Sequence, residues 1–588
     1  MIREIQQIYN NNNFDFQQFA YPKDELSYRF QDWVPYYRMK YAICKTLNPQ
    51  SILEIGVRYG YSAITFLNAS PDARYLGIDN DTSTYGGSSG AILYARNILK
   101  KYNAEVILLD SQKIDEFPGD HWDLIHIDGQ QDGDGTFHDL ELAIQKATWI
   151  LIDGYFWSDE NLLASSYFMK KYRDFIEYAI TIPGYAGDVL IKVKNNPVKN
   201  ITTYLKLSNE YSKQYYLCDC GGYDIFKRTK GKTLDNRLLA NYLISEPKPA
   251  KRILDIGCGR GELCFALANA GAEVIGIDYS DDAIKLAMET YDGEHISGSL
   301  SFICGDIVTY PVQGQFDVII ASDFIENVEH SILETILQKC SSLLKPEGRI
   351  ILHTAPNRLY YDKFYFQQRL KAKEAGSWLP PNPRTYYEDI MHINEQTPDS
   401  LRSLLTSSFP YSLVWVTSGG SMTGSLEREY SEKELYESRD IFAVASFNPI
   451  SKEDILSSLK QFPLQRDNLS IEIIVLQYPT EVKVGNQFHL NLQITNTGSE
   501  KMASMEPSPV HISYHWRDNE GKIVIFDGIR TAITPPLYPQ EAREIVATVI
   551  SPLNPGHFLL EITMVQEGCF WFEEICDSLP IKIQIEVR

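Results

Sequence analysis

Two short stretches combine an acidic residue with closely spaced glycines at the end of an apolar run. Residues 51–60 read SILEIGVRYG, and residues 252–261 read RILDIGCGRG. Glycines in such a turn let the backbone approach a bound ligand closely. Because the two stretches lie about two hundred residues apart, we expect two related ligand-binding domains.

The acid before the first glycine distinguishes between two kinds of nucleotide ligand. Glu54 and Asp255 stand there, and a carboxylate would repel the pyrophosphate that a dinucleotide places at a helix N-terminus. It suits a ligand with an amino group and a cationic centre, which S-adenosylmethionine has. A second acid, Asp79 or Asp278, ends the next strand and can hold ribose hydroxyls. The alternative for each second acid is a solvated turn carboxylate or a helix cap.

The composition describes a large acidic chain of 588 residues with a net charge of -22. This length predicts three or four domains of about 150 residues each. The charge argues against nucleic acid or an anionic membrane surface as the main partner. We see neither a signal pattern nor an apolar run of about 18 residues, so we expect a cytoplasmic protein without a membrane span. The nine cysteines lack zinc-site spacing and are expected to be reduced.

The order of apolar runs predicts a multidomain chain. Strand-like and helical segments alternate twice, which predicts two parallel sheets that are covered on both faces. The C-terminal runs alternate with period two between turn residues, which is typical of a two-sheet sandwich. The expected divisions are a helical lead-in (1–50), a first α/β domain (51–194), a linker and second lead-in (195–250), a second α/β domain (251–450) with a lid-like insertion (about 356–395), a helical connector (451–468) and an all-β sandwich (469–588).

The second α/β segment resembles class I methyltransferases that use S-adenosylmethionine. It carries LDIGCGRG, GIDYS, CGDI, FDVIIASDFIENVEH and LLKPEGRIIL over roughly 250–355. The resemblance implies a doubly wound, Rossmann-like fold. It also implies a cofactor site in which Asp278 takes the ribose, Asp306 and Ile307 flank the adenine, and the methionine part is lined by Asp255, Gly257, Gly259 and Gly261.

The general base of this second segment is left open by a departure from the family pattern. The family often has Glu-His where this chain has Glu326-Asn327. Asp323 and Glu326 follow the fourth strand, where the fold presents groups to the substrate. His392 precedes a late helix, and related enzymes often carry a histidine there, over the acceptor pocket. All three are candidate catalytic residues, and the alternative for His392 is a capping or packing role.

The first α/β segment resembles the catechol-methyltransferase-like branch, which includes sugar O-methyltransferases. The matching stretches, over about 50–190, are LEIGVRYGYSA, GIDND, LLDSQ, DLIHIDGQQDGDGTFHDLELA and WILIDGY. Arg58 replaces the middle glycine, a variant seen in that branch. The resemblance implies cofactor contacts from Glu54, Gly56, Gly60, Asp79, Asp110 and Asp128.

Some members of this branch bind a divalent metal with residues after the fourth and fifth strands. They often have Asp-His after the fourth strand and two adjacent ligands after the fifth. Here the stretches are IDGQQ, with Asp128, and IDGY, with Asp153. Asp128 and Asp153 are therefore candidate ligands of a metal such as magnesium, although one ligand is missing. His138 lies nearby as a candidate catalytic base, or as a residue in the N-terminal part of a helix.

These features predict a bifunctional S-adenosylmethionine-dependent methyltransferase that O-methylates sugar hydroxyls of a surface polysaccharide or glycoside. One alternative is a small natural product as the acceptor. Another is a glycan-binding scaffold in which one or both units are inactive. The sandwich resembles immunoglobulin-like modules appended to bacterial glycan-modifying enzymes, so we expect it to position a substrate; a homodimer contact is the alternative. Trp516 is expected in its core.

Overall fold

The structure is a computed structural model that describes residues 1–84, 86–194 and 211–588. Its described residues fall into two compact units. The first takes the chain up to residue 194 together with Tyr365–Ile390, and the second takes 211–364 and 391–588. Apart from Lys194, the predicted linker at 194–200 lies outside the described residues.

The first unit is built on a seven-stranded sheet with the order β3-β2-β1-β4-β5-β7-β6. The first five strands run parallel, and β7 is antiparallel to both of its neighbours. Six of the strands were predicted, and β6 was missed because most of its side chains are partly or fully exposed. The strands are β1 (Ser51–Ile55), β2 (Arg74–Asp79), β3 (Ala104–Leu108), β4 (Trp122–Ile127), β5 (Ala147–Ile152), β6 (Ile176–Ile182) and β7 (Asp188–Val193).

Helices precede and cover this sheet. The expected helical lead-in is present as two helices, the second of which ends three residues before β1. The helices are α1 (Ile2–Asn11), α2 (Phe30–Leu47), α3 (Tyr61–Ala69), α4 (Ala91–Leu99), α5 (Asp134–Ala143) and α6 (Asp159–Lys171).

The segment Tyr365–Ile390 belongs to the first unit, although the sequence placed it in a lid of the second domain. Its Trp378 donates from Nε1 to Asp134 Oδ1 of α5 at 2.8 Å. The Arg369 guanidinium lies 2.7 Å from the same carboxylate. The predicted lid at about 356–395 is therefore wrong for this stretch, because its polar and aromatic side chains find their partners on the first domain.

The second unit contains another seven-stranded sheet with the corresponding order, β10-β9-β8-β11-β12-β14-β13. Five strands were predicted, and β13 and β14 were missed; β14 is antiparallel to both β12 and β13. The strands are β8 (Arg252–Ile256), β9 (Glu273–Asp278), β10 (Ser299–Cys304), β11 (Phe316–Ser322), β12 (Leu344–Thr354), β13 (Tyr411–Thr417) and β14 (Asp440–Ser446).

The remaining helices lie before this sheet, between its strands, in the segment Tyr365–Ile390 that belongs to the first unit (called the exchanged segment below), and before the sandwich. They are α7 (Lys213–Cys218), α8 (Tyr223–Thr229), α9 (Asn236–Ser245), α10 (Glu262–Asn269), α11 (Asp281–Tyr291), α12 (His330–Leu343), α13 (Phe366–Glu374), α14 (Tyr386–Met391), α15 (Pro398–Thr406), α16 (Gly424–Glu427), α17 (Glu432–Glu437) and α18 (Lys452–Ser458). Among the described residues, no helix is both long and apolar enough to cross a membrane.

The C-terminal strands form two facing sheets, and the seven predicted strands are all present. One sheet has the order β15-β17-β21, and the other β16-β24-β22-β18-β19 with β20 and β23 at its sides. Trp516 is fully buried between them, as expected. The strands are β15 (Ile471–Gln477), β16 (Glu481–Val482), β17 (Gln487–Asn496), β18 (Val510–Arg517), β19 (Ile523–Ile525), β20 (Thr531–Ala532), β21 (Ala542–Ile550), β22 (Gly556–Gln566), β23 (Phe570–Trp571) and β24 (Ile581–Val587).

The two-sheet region shares a hydrophobic core with the second α/β domain. Ala503 and Met505 are buried in one cluster with Leu239 and Ile244 of α9. Lys501 Nζ also donates to the Ser458 carbonyl at 3.0 Å. The predicted fold class, two doubly wound α/β domains followed by a sandwich, is confirmed, and the sandwich is packed into the unit rather than merely tethered to it.

Candidate active sites

A cavity of about 480 Å³ opens at the carboxyl ends of the first sheet's strands. This edge is where open α/β sheets bind ligands. Its wall includes the glycine turn after β1 and four of the predicted acids: Asp79, Asp110, Asp128 and Asp153. The cavity thus brings together four predicted acids that lie up to 74 residues apart in the chain.

The glycine turn leaves no room for a side chain at its first position. Gly56 has φ +85°, and a Cβ there would lie 2.0 Å from the Asp128 carbonyl oxygen. The Asp79 carboxylate fixes the same turn, because its Oδ2 accepts from the backbone N–H groups of Val57 and Arg58 at 2.8 Å each. The turn and the predicted ribose acid thus form one rigid wall of the cavity.

Arg58, which replaces the family's middle glycine, turns its side chain toward the lead-in. Its guanidinium makes two hydrogen bonds to the buried Asp24 carboxylate, at 2.8 and 2.6 Å. Asp24 also accepts from the Tyr61 hydroxyl at 2.9 Å. The departure from the glycine pattern therefore fastens the lead-in beside the cavity, and Arg58 adopts a positive φ of 49° to do so.

Two predicted cofactor residues of the first domain lie outside the cavity wall. Glu54 is fully buried and accepts hydrogen bonds from Ser62 and Tyr75. Burial raises the pKa of Glu54 to about 7. Gly60 lets α3 begin close to α4, since a Cβ there would lie 3.1 Å from Ala95 Cβ. The geometry does not favour direct cofactor contact by Glu54 or Gly60, because both lie on the side of the turn that faces the protein interior rather than the cavity.

Aromatic residues that the sequence analysis did not assign line the mouth of the cavity. Trp33, Tyr36 and Tyr37 come from α2, and Trp157 and Tyr185 come from the loops after β5 and β6. The exposed fractions of Trp157 and Tyr185 are 55% and 41%. The richness of the lead-in in Tyr and Trp was the available signal, but a sequence pattern does not say which way these rings face.

His138 does not face the cavity. Its Nε2 lies 3.0 Å from the Ser111 carbonyl oxygen and 3.2 Å from that of Ile114, so it donates to a turn of the backbone. The geometry gives no support to a catalytic role, and His138 lies in the N-terminal half of α5, as the alternative expected.

A buried charge cluster lies behind Asp153. Lys40 Nζ is 2.9 Å from Asp153 Oδ1 and 3.4 Å from Asp188 Oδ2. It is also 2.8 Å from His126 Nε2, and His126 Nδ1 lies 2.9 Å from Glu54 Oε1. The sequence analysis missed Lys40 and His126. A lysine beside the buried Ala42 and Ile43 of α2 was the signal that could have revealed this cluster.

The two candidate metal ligands that face the cavity are bridged by a side-chain amide. Gln131 Nε2 lies 3.2 Å from Asp128 Oδ1 and 3.3 Å from Asp153 Oδ2. Burial raises the pKa of Asp128 to about 8 and also raises that of Asp153, with the neighbouring Asp188 adding to the effect. Each proton that these carboxyls take up removes a charge that a metal would need.

The second domain repeats the glycine turn with three positive φ values. They are +69° at Gly257, +51° at Gly259 and +81° at Gly261. A Cβ at Gly257 would lie 2.6 Å from the Phe324 ring, and one at Gly261 would lie 2.7 Å from the Phe302 ring. These close approaches explain the glycines at positions 257 and 261, whereas at position 259 it is the positive φ that favours glycine.

The acids of the second turn are buried. Asp278 accepts from the backbone N–H groups of Gly259 at 2.9 Å and Ser280 at 2.8 Å, and burial raises its pKa to about 6. Asp255 accepts from Cys264 Sγ at 3.1 Å, and burial raises its pKa to about 7. As in the first domain, the acid before the glycines supports the turn from the protein interior.

The residues predicted to flank an adenine separate in the structure. Asp306 is exposed and caps its own turn, accepting from the Val308 N–H at 2.8 Å. Ile307 is buried in the hydrophobic core with Leu254 and Ile319. Contact with an adenine stays a prediction for Asp306, whereas the Ile307 side chain packs into the core.

Asp323 belongs to an ion-pair network. It pairs with the Arg237 guanidinium, and its Oδ1 lies 2.6 Å from His353 Nδ1. His353 Nε2 lies 3.3 Å from Asp440 Oδ1. Both oxygens of Asp323 therefore have partners within the protein, and its role as a base stays a prediction.

Glu326 and His392 come together, as candidates for one site must. Glu326 is buried and accepts from Thr354 Oγ1 at 2.7 Å. Burial raises its pKa, and the nearby His392 acts in the opposite direction. The His392 loop is fastened to Glu326, whose carbonyl accepts from the Asn394 N–H at 2.9 Å. His392 Nδ1 also lies 3.5 Å from Glu395 Oε1.

Two family models match this chain. Each is described as a methyltransferase domain, and they cover residues 53–155 and 247–391. Each match contains one of the two glycine turns. The prediction of tandem methyltransferase-like domains is thereby supported from outside the chain's own pattern.

Curated relatives are similar over part of the chain. A ubiquinone biosynthesis O-methyltransferase of Bradyrhizobium diazoefficiens is 30% identical over 154 residues, which is 26% of this chain and 56% of that protein. The mitochondrial enzyme of that name from Bos taurus is 36% identical over 180 residues, 29% of this chain and 44% of that protein. The chain thus spans about half the length of these relatives.

One solved structure to which the chain shows similarity is magnesium protoporphyrin IX methyltransferase from Synechocystis PCC 6803, crystallised with bound S-adenosylmethionine. It is 19% identical, with a TM-score of 0.26, and the match covers 42% of this chain and all of that one.

Proposed function

We propose that this chain is an S-adenosylmethionine-dependent methyltransferase with one cofactor site in each α/β domain. The first cavity carries the proposal, because a glycine turn, a ribose-type acid, a carboxylate pair and an aromatic mouth all line it. The family models over both turns support the same reading of the second domain.

The first cavity fits such a cofactor. The absence of a side chain at Gly56 lets the turn pack against the Asp128 backbone, and the backbone of this turn lines the cavity, where the methionine part can lie. Asp79 lines the wall and can accept from ribose hydroxyls while it holds the turn. When bound, S-adenosylmethionine supplies a methyl group activated by a sulfonium. The protein aligns the acceptor with that methyl, and such alignment can be worth roughly 7–11 kcal/mol.

The acceptor of the first domain is, in this proposal, a hydroxyl group of a saccharide or glycoside. Trp33, Tyr36 and Trp157 offer flat apolar surfaces on which a sugar ring can stack. Asp128 and Asp153 face the same space, and one of these carboxylates takes the hydroxyl proton as the oxygen is methylated. General-base help of this kind typically contributes about 10²–10⁴-fold.

A second candidate acceptor is a hydroxyl on a small ring compound. The names of the curated relatives favour it, because those proteins are ubiquinone biosynthesis O-methyltransferases. We assign this candidate to the second domain, where the buried Glu326 lies near His392 and the histidine counteracts the rise that burial causes in the pKa of Glu326.

The C-terminal sandwich is proposed to position a large acceptor, as expected for an immunoglobulin-like module. Phe572 is fully buried, whereas the adjacent Trp571 is partly exposed beside Phe526, which is 50% exposed. Their ring centroids are 5.4 Å apart. A partly exposed aromatic pair of this kind favours a binding surface.

Transfer of a labelled methyl group tests these proposals. The full chain, Gly56→Val and Gly257→Val would each be incubated with labelled cofactor and with glycan extracts, free glycosides or catechol-type acceptors. We expect saccharide labelling to be lost in Gly56→Val and ring-hydroxyl labelling to be lost in Gly257→Val. Calorimetry that found no bound S-adenosylmethionine in the wild type would leave only the scaffold alternative.

A further inference from the structure

Lys40 brings a positive charge into the interior of the first unit. Its side chain is fully buried, although it extends from a lead-in helix. The ammonium meets Asp153, Asp188 and His126 at 2.9, 3.4 and 2.8 Å, respectively. A lysine this deeply buried persists only when carboxylates and acceptors satisfy it.

The same side chains resemble a metal site. His126, Asp128 and Asp153 can each point one ligand atom into a space where these atoms lie within 4.8 Å of one another. A divalent cation would need the lone pair of a neutral imidazole and the oxygens of both carboxylates.

The imidazole lone pair is already used. Lysine can only donate, so His126 Nε2 accepts from Lys40 at 2.8 Å. The other nitrogen, Nδ1, then carries the proton and donates to Glu54 Oε1 at 2.9 Å. His126 therefore offers no free ligand atom.

The carboxylates are occupied on the cavity side as well. The Gln131 amide nitrogen lies within 3.3 Å of an oxygen of each of Asp128 and Asp153. Both oxygens accept, so the amide must present its nitrogen end to them. Gln131 stands close to where metal-binding relatives would have a histidine, and here it bridges the acids without a cation.

We propose that the Lys40 ammonium takes the place of a divalent metal in the first unit, and that Lys40 and Gln131 together position Asp153 and Asp128 for a metal-independent reaction. Lys40 is a positioning residue, since it reaches the cavity only through Asp153. The inference rests on the proposed function for the nature of the reaction, whereas the arrangement of charges stands by itself. The metal prediction for Asp128 and Asp153 is replaced by this reading.

The test is Mn²⁺ binding to the full chain, measured by calorimetry and by electron paramagnetic resonance. The variants are Lys40→Met, which keeps the length of the side chain without its charge, and Lys40→Met/Gln131→His, which also restores a ligand. We expect no Mn²⁺ site in the wild type that depends on Asp128, and one new site in the double variant that Asp128→Asn abolishes. Lys40→Arg serves as the charge-preserving control and should gain no site.

The wild-type arm decides the proposal even if the Lys40 variants fail to fold. Wild-type Mn²⁺ binding that Asp128→Asn removes would overturn it. So would a folded double variant without a new site. Binding of S-adenosylmethionine is measured in the same samples with and without a chelator. A wild type that binds neither cofactor nor Mn²⁺ in the first unit would contradict the proposed function and leave the Lys40 inference standing.

Discussion

The two α/β domains have the same strand order and solve the same electrostatic problem with different residues. In each, a cation from the helix just before the first strand reaches acids at the carboxyl edge of the sheet. The first domain uses Lys40, which is fully buried against Asp153. The second uses Arg237, whose side chain is 22% exposed against Asp323.

A histidine completes each cluster, but it comes from a different strand. His126 lies on the fourth strand of the first sheet, and His353 lies on the fifth strand of the second. The comparison shows that the shared strand order determines where the cation lies. The choice between lysine and arginine determines how exposed to solvent that cation is. Of the two cations, only the fully buried Lys40 ammonium prevents an external cation from binding in its cluster.

The largest expected effect concerns the candidate proton acceptor of the second domain, for which the first domain serves as the comparison. Glu326→Gln should lower methyl transfer by the second domain about 10²–10⁴-fold, because it removes a proton acceptor. Cofactor affinity measured by calorimetry should stay unchanged. His392→Ala should cause a similar loss, and the double variant should lose little more if the two residues act as a unit.

The exposed change Glu334→Gln on α12 is the matched control and should leave turnover intact. Full second-domain activity in Glu326→Gln would remove Glu326 from the site.

The glycine turns give the next effect. Gly56→Val should weaken the first cofactor site by roughly 100-fold or more, about 2.7 kcal/mol, because its Cβ would overlap a backbone carbonyl at 2.0 Å. Gly257→Val should cost less, since its 2.6 Å neighbour is the Phe324 ring, and a side chain can move. Calorimetric stoichiometry should fall from two sites to one in each variant.

Gly293→Ala controls for backbone strain alone, because Gly293 has φ +72° with nothing within 4 Å of the added Cβ. Equal loss in this control would mean that strain, and not space, accounts for the effect at the turns.

A smaller effect follows from the pKa of Asp278, which burial raises to about 6. The ionised carboxylate accepts from ribose hydroxyls, so affinity at the second site should fall about tenfold per pH unit below 6. The contribution to folding has the opposite sign. A raised carboxyl pKa means that the folded state binds the proton more tightly, so stability from this group rises as pH falls from about 6 toward 4.

Calorimetry at pH 5 and pH 8 on the Gly56→Val background isolates this site. An affinity that is flat across that range would contradict the ribose role of Asp278, and Asp278→Asn should give the pH-independent reference.

The smallest effect concerns Arg58, where the first turn departs from the second. Arg58→Gly would make the turns alike and relieve a positive φ, while it strands the buried Asp24 carboxylate. Because the side chain of Arg58 is partly exposed, we expect a net coupling to Asp24 of only about 1 kcal/mol. A double-mutant cycle with Asp24→Asn measures this coupling through the free energy of chemical unfolding. Zero coupling would show that the lead-in is held by its aromatic contacts alone.

The sequence predicted those parts of the fold whose patterns are local. The first five strands of each sheet were predicted from short apolar runs that alternate with helical segments, including the edge strands β3 and β10, which are partly exposed. The antiparallel strands β6, β13 and β14 were missed. β6 is largely exposed, and β13 and β14 follow the long insertion rather than a glycine turn.

The candidate site residues that could be predicted are those at the ends of recognisable strands. Gly56, Asp79 and Asp128 were proposed because they end or directly follow β1, β2 and β4, which are neighbours in the sheet of a recognisable unit. Lys40 was not predicted, because a lysine beside apolar residues of a helix indicates burial but does not identify the distant Asp153 with which it pairs. The Arg237 partner of Asp323 was missed for the same reason, since it lies 86 residues earlier in the chain.

The exchanged segment Tyr365–Ile390 has a consequence for biosynthesis. A ribosome finishes the seven strands of the first sheet at Val193, yet the Trp378 that covers Asp134 and Phe137 emerges only after most of the second sheet has been made. The first domain must therefore wait, with this surface uncovered, through the synthesis of more than 170 further residues. A chain that stalls within that interval would leave an unfinished first domain for chaperones and proteases to find.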